Sequence, residues 1–299
     1  MRIAFIQDHL RSGGTERQAL HLAHGLAEVG HQTHLIVFRK GGALDPKTRD
    51  ATFQTHFLRQ GPFKFNWFAP GLARLLRQLK PDVVFPMGRM GNCYAGLLCR
   101  RPHSYRIVAT FRTGRTIPKP YLRALRESNH LVANSQEALQ RLAANYGIAR
   151  PNDSSVIYNG CLRDCATSIP SLRPESEKRR PVQLASVSMF RPQKRQIELI
   201  RICARLPEEL DWRLALAGDG RERRRCIQEA DTLGIADRVE FPGLLEDPRP
   251  LYFESDLAVH ASAEESLPNF LVEAQMAGLP VIAYKAGGVA ETFDPNRSG

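Results

Sequence analysis

The 299-residue sequence predicts an α/β protein of two doubly wound domains, each built on a parallel sheet. Three observations carry that prediction. Short apolar runs alternate with amphipathic stretches along the chain, the βα rhythm that lays helices on a parallel sheet. The rhythm breaks at residues 161–181, CLRDCATSIPSLRPESEKRRP, where prolines and charges replace any apolar period and the chain reads as a linker. A hydrophobic content of 42% in a chain of this length supplies apolar material for two cores. The expected domains are therefore residues 1–160 and 182–299.

In the first domain the runs RIAFIQ, HQTHLIVF, TFQTHFL, PDVVFP, YRIVATF, HLVANS and SSVIYNG predict strands, with helical patterns such as TERQALHLAHGLAEVG and SQEALQRLAANYG between them. In the second, PVQLASVSM, DWRLALAG, DRVEFPG, SDLAVHAS and LPVIAY predict strands, with RPQKRQIELIRICARL and GRERRRCIQEADTLG as intervening helices. Two such domains place a ligand cleft at the carboxyl ends of their strands.

No apolar run is long enough to span a membrane, and MRIAFIQDHL enters a strand without the regions of a signal peptide. A soluble cytoplasmic protein is expected. The six cysteines form no CxxC pair and have no histidine at zinc-site spacing, so they read as buried free thiols. Charge divides unevenly. Residues 1–160 hold 23 Lys and Arg against 9 Asp and Glu, or +14, and residues 161–299 hold 19 against 22, or −3. That split suits a first domain facing an anionic partner; a surface on which excess arginine is merely solvated fits equally well.

Three segments carry chemistry. Ser12-Gly13-Gly14-Thr15-Glu16 follows the first strand, and Thr15 with Gln18 forms a T-x-x-Q capping box, so two glycines flank a helix N-terminus where phosphate or sugar can dock. An ordinary βα turn needs the same glycines. Residues 189–195, MFRPQKR, place three cations after the first strand of the second domain, enough to neutralise a diphosphate or simply to be solvated. Residues 264–273, EESLPNFLVE, put Pro268 in the first turn of a helix that ends near Gly278, with Glu265 just before it and Glu273 inside it. From pattern alone Glu265 is a helix cap; as ligands, the two carboxylates can accept hydrogen bonds from hydroxyl pairs.

Read together, GGTE near residue 13, YNG at 158–160, Arg191 and Lys194, AGDG at 217–220, EFPG at 240–243 and EESLPNFLVEAQMAGLPVIAYKAGGVAE resemble a family 4 glycosyltransferase of the GT-B fold, in order and spacing over essentially the whole chain. The most specific element is Glu-x7-Glu, here Glu265 and Glu273. The resemblance implies two Rossmann-like doubly wound domains facing each other across a cleft, acceptor side first and nucleotide-sugar domain second. It implies a retaining transfer from a UDP-, GDP- or ADP-sugar to a glycan or lipid-linked acceptor of the polysaccharide, lipopolysaccharide or cell-envelope kind, with no cofactor.

Residue by residue, the resemblance puts Glu273 on the ribose hydroxyls and Glu265 beside the donor sugar. The segment Ser266, Leu267, Pro268 and Asn269 meets sugar and diphosphate. Lys194 matches the lysine at the diphosphate, whereas the family's arginine five residues earlier is Met189 here and Arg191 is the expected substitute. Gly13 and Gly14 match the loop that approaches the donor from the first domain. Where many members carry a histidine after the fifth strand, this sequence has Arg112, expected to orient substrate. Glu265, Lys194 and Arg112 are thus the catalytic candidates. No D-x-D occurs, which fits stabilisation of the leaving diphosphate by cations and a helix dipole with no metal.

A nucleotide-sugar epimerase of the same fold is the nearest alternative. A nucleic-acid-binding protein suits the +14 half, but its cations are dispersed and no recognition motif accompanies them, so no nucleic-acid partner is expected. The cations Arg74, Arg77 and Lys80 in GLARLLRQLKP, with Arg123 and Arg126 in YLRALRES, predict a peripheral contact with an anionic inner membrane face, the intervening leucines at the headgroup boundary. Because family members continue beyond the GGVAE segment, the sequence is expected to be incomplete, with marginal stability and little activity as it stands.

Overall fold

The structure is a computed structural model that describes residues 1–49, 51–58, 69–112, 117–160 and 180–294. It divides into two units, Met1–Gly160 and Cys161–Gly299. The expected linker, except Arg180 and Pro181, lies outside the described residues, as do Cys161, Cys165 and the final five residues.

Among the described residues each unit holds one sheet with every pairing parallel. The first contains β1 (Arg2–His9), β2 (Gln32–Arg39), β3 (Gln54–Phe57), β4 (Val83–Pro86), β5 (Arg106–Phe111), β6 (His130–Ala133) and β7 (Ser154–Val156), ordered β3-β2-β1-β4-β5-β6-β7. The second contains β8 (Val182–Val187), β9 (Trp212–Ala217), β10 (Val239–Gly243), β11 (Leu257–His260) and β12 (Val281–Ala283), ordered β10-β9-β8-β11-β12. Counted within its own unit, each sheet contains the order 3-2-1-4-5, a doubly wound arrangement. Each predicted strand is present; β1 runs on to His9, β2 is displaced by one residue, and the others are shorter than their predicted runs.

Helices α1 (Gly14–Glu28), α2 (Leu72–Leu79), α3 (Gly88–Leu98), α4 (Lys119–Glu127) and α5 (Gln136–Tyr146) accompany the first sheet; α6 (Gln196–Cys203), α7 (Arg223–Thr232), α8 (Arg249–Glu254) and α9 (Asn269–Met276) accompany the second. The sequence sets their ends locally. Ser135 caps α5 by accepting from the Ala138 N–H at 3.1 Å, and Gly147 closes it in the left-handed region at φ 61.

Period-two alternation builds the cores. Ile3 and Phe5 of β1 pack with Leu35 and Val37 of β2 on one face, while Ala4 and Ile6 pack with Ile36 and Val84 on the other. A sheet covered on both faces needs apolar residues at both parities, and each fully buried Val, Leu, Ile or Phe contributes about 1.5–3 kcal/mol. Leu184, Leu214 and Leu216 form one core face of the second sheet, with Ala258 and Val187 in the other. Cys93, Cys203 and Cys226 are buried free thiols; burial pushes Cys203 up to about 11 and Cys226 to about 12.

One part of the membrane expectation needs correction, the placing of the leucines at the headgroup boundary. Leu72 and Leu76 of α2 are almost fully buried, and Leu75 and Leu79 pack against the same core. Leu125 of α4 is fully buried and Leu122 packs against the core as well. A leucine stripe already covered by the sheet has no apolar face left for a bilayer. Arg74, Arg77 and Lys80 are exposed, Arg123 pairs with Glu127 at 3.6 Å, and Arg126 donates to the Tyr146 carbonyl at 3.1 Å. No helix among the described residues is long and apolar enough to cross a membrane.

Candidate active site

In the second unit β8 is flanked by β9 on one side and β11 on the other. The strand order reverses between β8 and β11, and the loops leaving their carboxyl ends bound the position where doubly wound sheets take ligands.

The loop after β8 is braced by the AGDG loop after β9. Phe190 N–H donates to the Asp219 carbonyl at 2.9 Å, and Glu222 N–H to the Phe190 carbonyl at 3.3 Å. Gly220, at φ 147, approaches so closely that a Cβ would stand 2.3 Å from the Phe190 carbonyl oxygen, so only glycine fits. Buried Gln196 donates from Nε2 to Ser188 Oγ at 2.9 Å and to the Met189 carbonyl at 3.1 Å. Arg191 is half-buried at the head of a 3-10 turn, Pro192–Lys194, and Arg195 then takes a left-handed φ of 51 to redirect the chain into α6.

The loop after β11 is stitched to this one. Ala263 N–H and the Ser262 hydroxyl both donate to the Gln193 carbonyl, at 2.8 and 3.1 Å. From the other side, Gly288 N–H donates to the Glu265 carbonyl at 3.2 Å. Gly287, at φ 53, lies where a Cβ would come 2.0 Å from the same oxygen, which accounts for the first glycine of AGGVAE.

These contacts bring together Lys194 and Glu265, 71 positions apart. Lys194 Nζ donates to Glu265 Oε1 in a close ion pair, and His260 Nε2 meets the same oxygen at 2.8 Å. Burial alone pushes the Glu265 carboxyl up, but the His260 hydrogen bond and the Lys194 charge outweigh it and hold the group at about 2. A depressed carboxyl stabilises the fold above its unfolded pKa, near 4.5, and that contribution vanishes as pH falls toward 2. Between pH 5 and 2 the wild type is expected to lose on the order of 3 kcal/mol through Glu265, a portion absent from Glu265→Gln. Denaturant unfolding at both pH values measures the difference; equal pH slopes in the two proteins would show that Glu265 is not held in this way.

Ser266, Leu267 and Pro268 are buried and Asn269 half-buried at the start of α9. Pro268 occupies the N-cap rather than the first helical turn. The capping role expected of Glu265 is also overturned. Its carboxylate turns to Lys194 and His260, because a buried charge needs charged or donating partners, and these arrive from β8 and β11. Glu273, on α9, accepts from the Tyr252 hydroxyl at 2.9 Å.

The first unit assembles a second cluster at the carboxyl ends of its strands. Gly13 is the N-cap of α1 and Gly14 its first residue. The T-x-x-Q box is not formed: no side chain caps α1, and Gln18, buried inside the helix, bonds both backbone groups of Gly160, donating at 2.5 Å and accepting at 3.3 Å. A buried amide needs partners on both its atoms, and the YNG segment after β7 supplies them. Arg112 donates from Nη2 to Asn159 Oδ1 at 2.6 Å, while its buried Nη1 has no partner among the described residues. Burial lowers its pKa to about 10, leaving it cationic at neutral pH. Arg112 is therefore a half-buried, hydrogen-bonded cation rather than a solvated loop side chain. Residues 113–116 lie outside the described residues.

Sequence reasoning missed His260, Tyr252 and Gln196. His260 alone carried a signal, as a lone histidine ending the apolar run SDLAVH immediately before the site loop.

Two family models match the chain: Glycosyltransferase Family 4 over residues 12–161 and Glycosyl transferases group 1 over residues 169–299. The lipopolysaccharide core biosynthesis glycosyltransferase LpsE of Rhizobium meliloti (strain 1021) is 27% identical over 286 residues, spanning 93% of this chain and 77% of LpsE. The Vi polysaccharide biosynthesis protein VipC/TviE of Salmonella typhi is 34% identical over 158 residues, 48% of this chain and 26% of that protein. The crystal structure of Anabaena Alr3699/HepE in complex with UDP and glucose matches with a TM-score of 0.80 at 25% identity, covering 98% of this chain and 83% of that one. With both halves of the chain matched in order, and two doubly wound parallel sheets beneath them, the chain belongs to glycosyltransferase family 4 and has the GT-B fold.

Proposed function

We propose that this glycosyltransferase moves a hexose from a nucleoside-diphosphate sugar to a glycan or lipid-linked acceptor, with retention of configuration and without a metal. The observation that carries the reading is the meeting of Lys194 and Glu265 at the switch point of the second sheet, just before α9. The likeness to HepE, solved with UDP and glucose, supports a uridine donor. The likeness to LpsE supports a cell-envelope glycan as acceptor.

In this reading Glu273 accepts the ribose hydroxyls, and the free face of Glu265 accepts a hydroxyl of the sugar. When the bond from the anomeric carbon to the diphosphate breaks, its electron pair stays on the phosphate oxygen. Lys194, Arg191 and the positive end of the α9 dipole stabilise that charge. The acceptor oxygen bonds the anomeric carbon on the face the diphosphate leaves, and its proton passes to the departing diphosphate oxygen. Arg112, in the first unit, orients substrate as a cation.

A thermal-shift screen of UDP-, GDP- and ADP-sugars tests donor binding, since a ligand at 100 times its Kd stabilises by about 2.7 kcal/mol. The uridine donor is expected to raise the Tm and then to pass its labelled sugar to envelope-type acceptors. No shift with any donor, or epimerised donor without transfer, would overturn the reading. For a lipid-borne acceptor the exposed Arg74, Arg77 and Lys80 support contact with an anionic surface by charge alone. Co-sedimentation with anionic vesicles should then weaken as salt rises, and binding indifferent to salt counts against it.

A further inference from the structure

Glu265 uses its two carboxylate oxygens unequally. Oε1 accepts from both Lys194 and His260, whereas Oε2 has no partner among the described residues. The two donors also differ in what else they can do. Lys194 sits on a long flexible stem and carries the charge a diphosphate attracts. His260 is fixed: it ends β11, its carbonyl accepts from the Tyr284 N–H at 3.0 Å, its side chain is 2% exposed, and its ring rests on Phe270 with centroids 5.8 Å apart. Phe270 belongs to α9, the helix that carries Glu273, and also touches the ring of Tyr252 at 6.0 Å, the residue that donates to Glu273.

We infer that His260 is a positioning residue for the donor sugar, holding Glu265 by Oε1 so that Oε2 stays aimed at a sugar hydroxyl when the diphosphate draws Lys194 away. The inference rests on the donor reading above and extends it to a residue that touches no ligand. Without His260, a Glu265 deserted by Lys194 regains the rotamer freedom of a long side chain and keeps no donor on a buried charge. The nucleotide half of the donor, held elsewhere, does not feel this loss. His260 therefore acts on sugar affinity and leaves nucleotide affinity alone.

The test compares wild type, His260→Leu and His260→Gln by calorimetric binding of UDP and of UDP-glucose, with circular dichroism as the folding control. Leucine fills the site without a donor; glutamine brings an amide N–H near the position of Nε2. In His260→Leu the ratio of UDP-glucose to UDP affinity is expected to fall about tenfold, the worth of one hydrogen bond to a charged group, with UDP affinity unchanged. His260→Gln is expected to restore the ratio. An unaltered ratio in His260→Leu overturns the inference, and so does an equal loss of both ligands in a folded variant. Wild type that binds neither ligand, nor the guanosine or adenosine counterparts, fails the donor reading itself and takes the inference with it.

Discussion

Replacing Lys194 by alanine is expected to lower kcat/KM by about 10²–10³-fold, the usual cost of removing one preorganised donor from a site where charge develops. The bond to the leaving diphosphate breaks with its electrons on oxygen, and Lys194 is the cation that the fold places beside Glu265 at the switch point. Part of the loss falls on affinity, because the ground-state diphosphate is already anionic; the larger part falls on kcat, because charge grows as the bond breaks. Lys194→Arg restores charge but on a larger, planar group in place of the compact ammonium, so only partial recovery is expected. Single-turnover transfer with the donor chosen by thermal shift separates the two effects. The variant is expected to remain folded, since Glu265 keeps His260. Wild-type turnover in folded Lys194→Ala would reduce Lys194 to a structural partner of Glu265.

Replacing Glu273 by alanine is expected to weaken donor binding by about 1–3 kcal/mol, or some 5- to 150-fold in Kd. Its carboxylate has one oxygen engaged by the Tyr252 hydroxyl and is the acceptor proposed for the ribose. Unlike Lys194, it meets a part of the donor that does not change during the reaction, so the loss should appear in KM with kcat nearly constant. The free nucleoside diphosphate should lose the same factor as the sugar donor, in contrast to His260→Leu. Equilibrium titration with both ligands is the measurement. Equal affinity in wild type and Glu273→Ala would remove Glu273 from the site. Tyr252→Phe, which leaves Glu273 in place but unheld, should cost less, about 1 kcal/mol.

Much of the fold is written in short-range pattern. The βα rhythm and the period-two runs located each strand of both sheets, because strand and helix depend on residues a few positions apart. Ser135 and Gly147 mark the ends of α5 within thirteen residues of sequence. The same locality misled at Thr15 and Gln18. Their spacing is that of a capping box, yet Gln18 spends its amide on Gly160, 142 positions away. It misled again at Glu265, where proximity to a helix start suggested a cap.

The sequence by itself determined which segments are strands and helices, where the glycine-rich and cationic loops fall, and, through the Glu-x7-Glu segment, the family to which the chain belongs. Only the tertiary structure decided which side chains meet. Lys194 and His260 reach Glu265 because β8 and β11 are neighbours, and Arg112 reaches Asn159 because the loops after β5 and β7 leave the same end of one sheet. The reason is physical. Local pattern is fixed by backbone preference and by which face of an element is buried, whereas the partner of a buried charge is fixed by strand order, which no window of sequence shorter than the whole βα succession contains.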